Sequence, residues 1–385
     1  MFLRKSRAAA RTYPRPYGRG SITAPCAAVS RRLGCSLETT VRITFLVPGR
    51  GLAGGIKVMG EYAGRLHGRG HEVTVLYRRP AGALGRLRQW WASRRAPDAL
   101  DESGCDLVGV RAFRPDLVPD GDVLLATGLE TVRAASALGA EKGCLVDLVQ
   151  TIVPMEEAPA AAGEVLALPA RRVAVSDYVA DYLRDRFGVE AAVVPNGVNH
   201  SRFYPPENRR RRQPATVGMM YAAGPGKANE EGFEAIRRVR DTWPDVRLVV
   251  FGAQPPRGLP PRTEVFVRPK PSRLRSLYAG CDVWLAPSRT EGFGLPVLEA
   301  MACRAVPVAA RAGGHPALVE DEVSGFLVPA GDVEAIARRI GLLVDDDSLL
   351  RRMAEAAYQR SLQFDWEAST DRLEALLGAW SGERA

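Results

Sequence analysis

The sequence lacks any apolar run near the roughly 18 residues that would suggest a membrane span. It is also poor in cysteine, with six scattered at positions 26, 35, 105, 144, 281 and 303 and no CxxC pair. That excludes a paired-thiolate zinc motif and makes reduced, cytoplasmic thiols the expectation. Charge of one sign is likewise missing from most of the chain. The formal net charge is +9, but residues 1–40 hold eight Lys or Arg against a single acid, Glu38. A surplus of only two is left for the remaining 345 residues, which argues against a nucleic-acid partner spread over a folded body. Apolar content of 46% and charged content of 25% are ordinary for a globular protein. A chain of 385 residues has room for two domains, each with its own core.

The most informative stretch that is present runs Pro287-Ser-Arg-Thr-Glu-Gly-Phe-Gly-Leu-Pro-Val-Leu-Glu-Ala-Met-Ala302. The strand-like run Val283–Ala286 stops at Pro287, and helical composition resumes at Leu295. Pro296 suits a first helical turn, where its missing N–H is not needed. The backbone N–H groups of Phe293, Gly294 and Leu295 would then face outward at the positive end of the helix dipole, where phosphate oxygens bind well. Glu291 would stand beside that anion site. Glu299, about one turn into the helix, would reach another part of the same ligand, such as the vicinal hydroxyls of a ribose. The pattern points to a nucleotide diphosphate carrying a polyhydroxylated group.

From Val41 onward the chain alternates strand and helix, which specifies parallel sheets with crossovers. Strands are expected at Val41–Val47, Val73–Tyr77, Leu107–Val110, Val123–Ala126, Cys144–Leu148 and Val173–Val175. The first is followed by a glycine-rich loop, Gly49 to Gly55, and a helix from Ile56 to about Arg69. Ser176 has the place and chemistry of an N-cap for a helix running to Phe187. A second series is expected at Thr216–Met220, Leu248–Phe251, Val265–Val267, Val283–Ala286, Val306–Ala309 and Phe326–Val328, followed by a helix capped by Asp332. The division that results is a basic tail over 1–40, a first domain over 41–195, a linker over 196–214, a second domain over 215–364 and a C-terminal helix over 365–385. The four arginines 209–212 read as a linker charge run, and Asp345–Asp347 as a helix cap. The tail's composition fits disorder, an organelle transit peptide, or a start-site extension.

In this order and spacing, Gly54-Gly55-Ile-Lys-Val58, Arg69-Gly-His-Glu-Val73, Val194-Pro-Asn-Gly-Val198, Leu277–Asp282, Glu291 to Glu299, Gly313-Gly314 and Ser324–Pro329 resemble the GT-B retaining glycosyltransferases of family 4. The resemblance covers about residues 41–385. It implies two doubly wound Rossmann-like domains facing a cleft, with the C-terminal helix returning to the first domain. It implies a nucleotide-diphosphate sugar as co-substrate, a sugar, glycolipid or small-molecule acceptor, and neither a metal nor a resident cofactor. Glu291 and Lys227 would be catalytic. Glu291 would contact the donor sugar and Lys227 would neutralise the departing diphosphate. Glu299 would bind the ribose. Phe293, Gly294 and Leu295 would offer N–H groups, and Gly54 and Gly55 would line the phosphate side of the cleft.

The chain departs from the family at several points. Met219 takes the place expected for a phosphate-binding arginine, and the usual Lys-Gly is Lys227-Ala228. No histidine stands where the first domain often touches the donor sugar; Asp147 and Gln150, after the corresponding strand, are weak substitutes. The Gly-Gly-x-Pro-Glu pattern becomes Gly313-Gly-His-Pro-Ala317 and loses its acid, and His315 reads as a solvent-facing loop residue. Two alternatives stay open. Gly49-Arg-Gly-Leu-Ala-Gly54 is a literal GxGxxG after a strand, and Arg78 and Arg79 would suit the 2′-phosphate of NADP in an oxidoreductase. The segment Arg86-Leu-Arg-Gln-Trp-Trp-Ala-Ser-Arg-Arg95 could bring a cytoplasmic enzyme to the membrane surface and a lipid-linked acceptor.

Overall fold

Apolar runs that end at glycine, proline or serine become the strands of two parallel sheets in the computed structural model. It describes residues 40–51, 53–80, 82, 100–207 and 214–382. The basic tail, the tryptophan pair at 90–91 and the arginines 209–212 lie outside the described residues.

The first sheet comprises β1 (Arg42–Val47), β2 (Glu72–Arg78), β3 (Asp106–Val110), β4 (Val123–Ala126), β5 (Cys144–Val149), β6 (Arg171–Ala174) and β7 (Ala192–Val193). Their order is β3-β2-β1-β4-β5-β6-β7, and every described pairing is parallel. The second comprises β8 (Thr216–Tyr221), β9 (Arg247–Gly252), β10 (Thr263–Val267), β11 (Val283–Ala286), β12 (Val306–Ala310) and β13 (Phe326–Val328). It is ordered β10-β9-β8-β11-β12-β13, again all parallel. Each sheet reverses direction once, between β1 and β4 and between β8 and β11. Ligands of doubly wound sheets bind outside the strand ends at such points. The loops after β1, β8 and β11 are those that carry Gly54, Lys227 and Glu291.

Caps end and start the helices where residue type allows. Ser176 Oγ accepts from Val179 N, and Gly188 closes the helix Asp177–Phe187 in the left-handed conformation. Asp332 caps the helix Val333–Asp345 through Ala335 N. Asp346 caps the next helix, Asp347–Ser361, while Asp345 Oδ1 accepts from Trp243 Nε1 at 2.7 Å.

The terminal helix, Trp366–Ser381, packs on the first domain's helix Gly54–Gly68. Tyr62 and Trp366, both buried, meet edge to face with centroids 5.2 Å apart. Around that contact, Arg69 pairs with Glu367, Asp371 and Glu374. His71 Nδ1 accepts from Val41 N at 3.2 Å, which leaves Nε2 to donate to Glu374 at 2.8 Å. The chain passes between the sheets twice, and the two passages touch. Val198 N donates to Phe364 O at 3.0 Å beside a parallel bridge from Val198 to Asp365. Among the described residues, no helix is long and apolar enough to cross a membrane.

Candidate active site

The helix Leu295–Ala302 begins where Gly294 turns the chain through φ +104°, with Pro296 in its first turn. Gly294 O accepts from Val297 N and Leu298 N at 2.9 and 3.1 Å. The N–H groups just before these have no intrahelical acceptor, and the positive end of the dipole is concentrated there. Glycine is required at 294 on two counts. Its φ lies in the left-handed region, and a Cβ would sit 2.9 Å from His315 Cδ2.

Three loops of the second sheet meet at Glu291. Lys227, closing a short 3₁₀ turn after β8, places Nζ 2.8 Å from Glu291 Oε2. Arg289 N bonds to Gly226 O at 2.8 Å, which fixes the loop after β8 against the loop after β11. Gly314 N, after β12, donates to Glu291 O at 3.0 Å. The two charged side chains keep 31% and 20% of their surface exposed. An ion pair of that exposure adds little stability; what it supplies is a cation and a carboxylate held side by side.

Glu299 is only 5% exposed and both of its oxygens are engaged. Tyr278 OH donates to Oε2 at 2.6 Å. Burial, followed by the neighbouring Glu299 charge, pushes the Tyr278 phenol well above its usual range, so it remains a donor. Lys57 Nζ reaches Oε1 from the first turns of the helix Gly54–Gly68, crossing from one domain to the other. Reasoning from sequence assigned no role to Lys57 or Tyr278, although both stand inside motifs singled out for other reasons. The available signal for Lys57 was its place three residues beyond Gly54, in the helix that opens at the glycine pair.

On the first-domain side, Gly54 and Gly55 open that helix. Gln150 Nε2 donates to Gly55 O at 3.2 Å and to Thr127 Oγ1 at 3.0 Å. The same residue's backbone carbonyl abuts the second domain, and a Cβ at Gly292 would fall 1.9 Å from it. Ser176 Oγ, besides capping its own helix, donates to Gly292 O at 2.7 Å. Glu291 is therefore flanked by a seam in which the two domains touch backbone to backbone. The structure thus brings Lys227, Glu291 and the Gly294 helix start together, and joins Glu299 to the Gly54–Gly55 helix through Lys57.

Several expectations need correction. Met219 does not face the cleft. It is fully buried in the apolar core against the helix Asn229–Thr242, where a Cβ on Gly232 would meet its Sδ at 2.9 Å. The strand continues to Tyr221, and no cation occurs between Met219 and Lys227. His315 is not solvent-facing. It is 1% exposed, its Nδ1 lies 2.9 Å from Ala310 O, and burial lowers its pKa, so the ring is neutral. Asp147 lies within β5 rather than after it and is buried. Gln150 does follow β5, but its amide is committed to Gly55 and Thr127. Ala228 holds φ +50°, the left-handed conformation that glycine adopts freely.

Residues 201–360 match the family model of the glycosyl transferases group 1. The match lies over the second sheet and its flanking helices and covers under half of the chain. The chain is 29% identical over 273 residues to a D-inositol 3-phosphate glycosyltransferase of Segniliparus rotundus, covering 64% of this chain and 60% of that protein. It is 32% identical over 156 residues to the sulfoquinovosyl transferase SQD2 of Arabidopsis thaliana, covering 37% of this chain and 30% of that one. It therefore spans less than two thirds of the length of these curated relatives. Among solved structures, Anabaena HepE in complex with UDP superposes with a TM-score of 0.71 at 19% identity, over 88% of this chain and 100% of that one. Sucrose-phosphate synthase from Thermosynechococcus elongatus gives 0.69 at 16% identity, over 88% and 98%. These likenesses show that the chain has the GT-B fold.

Proposed function

We propose that the chain moves a glycosyl group from a nucleotide-diphosphate sugar to an acceptor hydroxyl, with retention of anomeric configuration and without a bound metal. The observation that carries this reading is the meeting of Lys227 and Glu291, 2.8 Å apart, beside the Gly294 helix start. In the reaction the bond from the anomeric carbon to the diphosphate oxygen loosens first. Positive charge grows on the sugar and negative charge on the departing phosphate. Lys227 and the free N–H groups at Phe293, Gly294 and Leu295 stabilise the phosphate. Glu291 stabilises the sugar as a positioning and electrostatic group, not as a nucleophile of the glycosidase kind. The departing phosphate takes the acceptor's proton as the acceptor oxygen bonds to the same face of the anomeric carbon.

Glu299 would receive the ribose hydroxyls, and Gly54 and Gly55 would border the phosphates. Screening UDP-, GDP- and TDP-sugars for nucleotide release, with and without EDTA, tests donor class and metal independence together. No release from any donor, with a range of sugar and lipid acceptors, would sink the reading. A nicotinamide-dependent activity is not favoured: the family match lies over the sugar-transfer domain, and Arg78 is paired with Glu130 at 2.9 Å. Contact with a membrane rests on the sequence of the basic tail and of residues 86–95, and liposome co-sedimentation of wild type beside Trp90→Ala/Trp91→Ala tests it.

A further inference from the structure

The donor reading leaves one charge unaccounted for. Between Met219 and Lys227 the second domain offers no cation, and Arg289 beside them is paired with Glu231, so Lys227 is the cation that the loop after β8 presents to a diphosphate. The acid expected to read the ribose is also occupied. Glu299 Oε1 is held by Lys57 and Oε2 by Tyr278. Each oxygen keeps a second lone pair, but Glu299 is only 5% exposed beneath these two partners, so a ribose gains access to it when one of them moves aside. Tyr278 is fully buried and wedged among Phe203, Phe251 and Trp284, with centroids 5.7, 5.2 and 4.7 Å away. Lys57 keeps about a quarter of its side chain exposed, and its ammonium sits 4.9 Å from the Phe203 ring centroid on a flexible stem. The partner that yields is therefore Lys57.

We propose that Lys57 is a diphosphate-binding residue that changes partners: the ribose takes its place on Glu299, and its ammonium turns to the phosphates. Ribose and diphosphate are adjacent in any such nucleotide, so the ammonium moves by less than its own side-chain length. Lys57 also belongs to the helix that opens at Gly54 and Gly55, the border proposed for the phosphates. A first-domain lysine thereby supplies the second cation. It contacts the donor only when the two domains stand together as described here. In the free protein the same ammonium bridges the domains by holding Glu299.

This inference rests on the donor reading, and its test separates the two. ADP, GDP, TDP and UDP are titrated calorimetrically into wild type, and the best binder is compared with its nucleoside for wild type, Lys57→Met and Lys57→Arg. Lys57→Met should bind the diphosphate on the order of tenfold to a hundredfold more weakly, as loss of a charge-assisted contact implies. It should bind the nucleoside as well as wild type or better, because Glu299 no longer has to release an ammonium. Lys57→Arg should recover most of the diphosphate affinity, and it guards against a folding defect in the methionine variant. Equal weakening of diphosphate and nucleoside makes Lys57 a structural clasp and overturns the proposal. Unchanged diphosphate affinity overturns it too. Wild type that binds none of the four diphosphates overturns the donor reading itself.

Discussion

Lys227 Nζ stands 2.8 Å from Glu291 Oε2, although 64 positions separate the two residues. The contact exists because the loops after β8 and β11 are tied by Arg289 N on Gly226 O. A cation so placed stabilises a leaving phosphate with little reorganisation. Lys227→Ala should therefore lower kcat/KM by on the order of 10²- to 10³-fold, the range for loss of one charge-stabilising group. Its melting temperature should hardly change, because exposed pairs contribute little. Nucleotide release and a thermal melt check both halves. Near-normal turnover in Lys227→Ala and Glu291→Ala would remove the mechanism.

Gly292 has no space for a side chain: a Cβ there would meet Gln150 O at 1.9 Å. Gly292→Ala should push the Glu291 loop away from the first domain. The expected cost is about 1–3 kcal/mol of stability from overpacking, together with a fall in kcat. Urea denaturation and steady-state kinetics measure the two effects. A variant with wild-type values for both would contradict the close seam.

The strands were legible because buried parallel strands are short apolar runs with glycine or proline at their ends. The predicted starts and stops agree with β1 to β6 and β8 to β13 to within about two residues. The caps at Ser176 and Asp332 were legible from residue type, since both bond locally. What escaped was whatever depends on partners far along the chain. Met219 could not be assigned a face, because both faces of a central parallel strand are apolar and strand period alone does not separate core from cleft. His315 looked like a loop residue until Gly294, 21 positions earlier, provided the space for its ring. Lys57 and Glu299 are 242 positions apart, and no local pattern joins them. The two-residue strand β7 and the helix Leu129–Ser136 are too short to carry a clear period.

Burial raises the Asp147 carboxyl from an ordinary 3.8 to about 7, against a smaller opposing pull from Arg172. The folded chain keeps this proton where the unfolded chain has released it. Stability therefore falls as pH rises from about 4 to 7, and the loss is complete above that window. Asparagine does not titrate. Asp147→Asn should gain on wild type between pH 4.5 and pH 8 by on the order of a few kcal/mol. Urea midpoints at the two pH values check the sign, and a constant difference between the proteins would refute it.

Trp366 is buried against Tyr62, so Trp366→Ala should cost about 3–5 kcal/mol. Arg69→Ala, which removes the pairs to Glu367, Asp371 and Glu374 at a partly exposed site, should cost less. Denaturant unfolding of the two variants ranks them. The reverse ranking would show that charge, not packing, holds the terminal helix.

The return of the terminal helix also sets a timetable. Tyr62 and Leu66, fully covered in the finished protein, are made early, whereas Trp366 follows roughly 300 residues later. At the usual 5–20 residues per second, that face waits about 15 to 60 s for its cover. The first domain therefore leaves the ribosome before the second and is completed after it, and its unfinished apolar stripe is the surface a chaperone would find during synthesis.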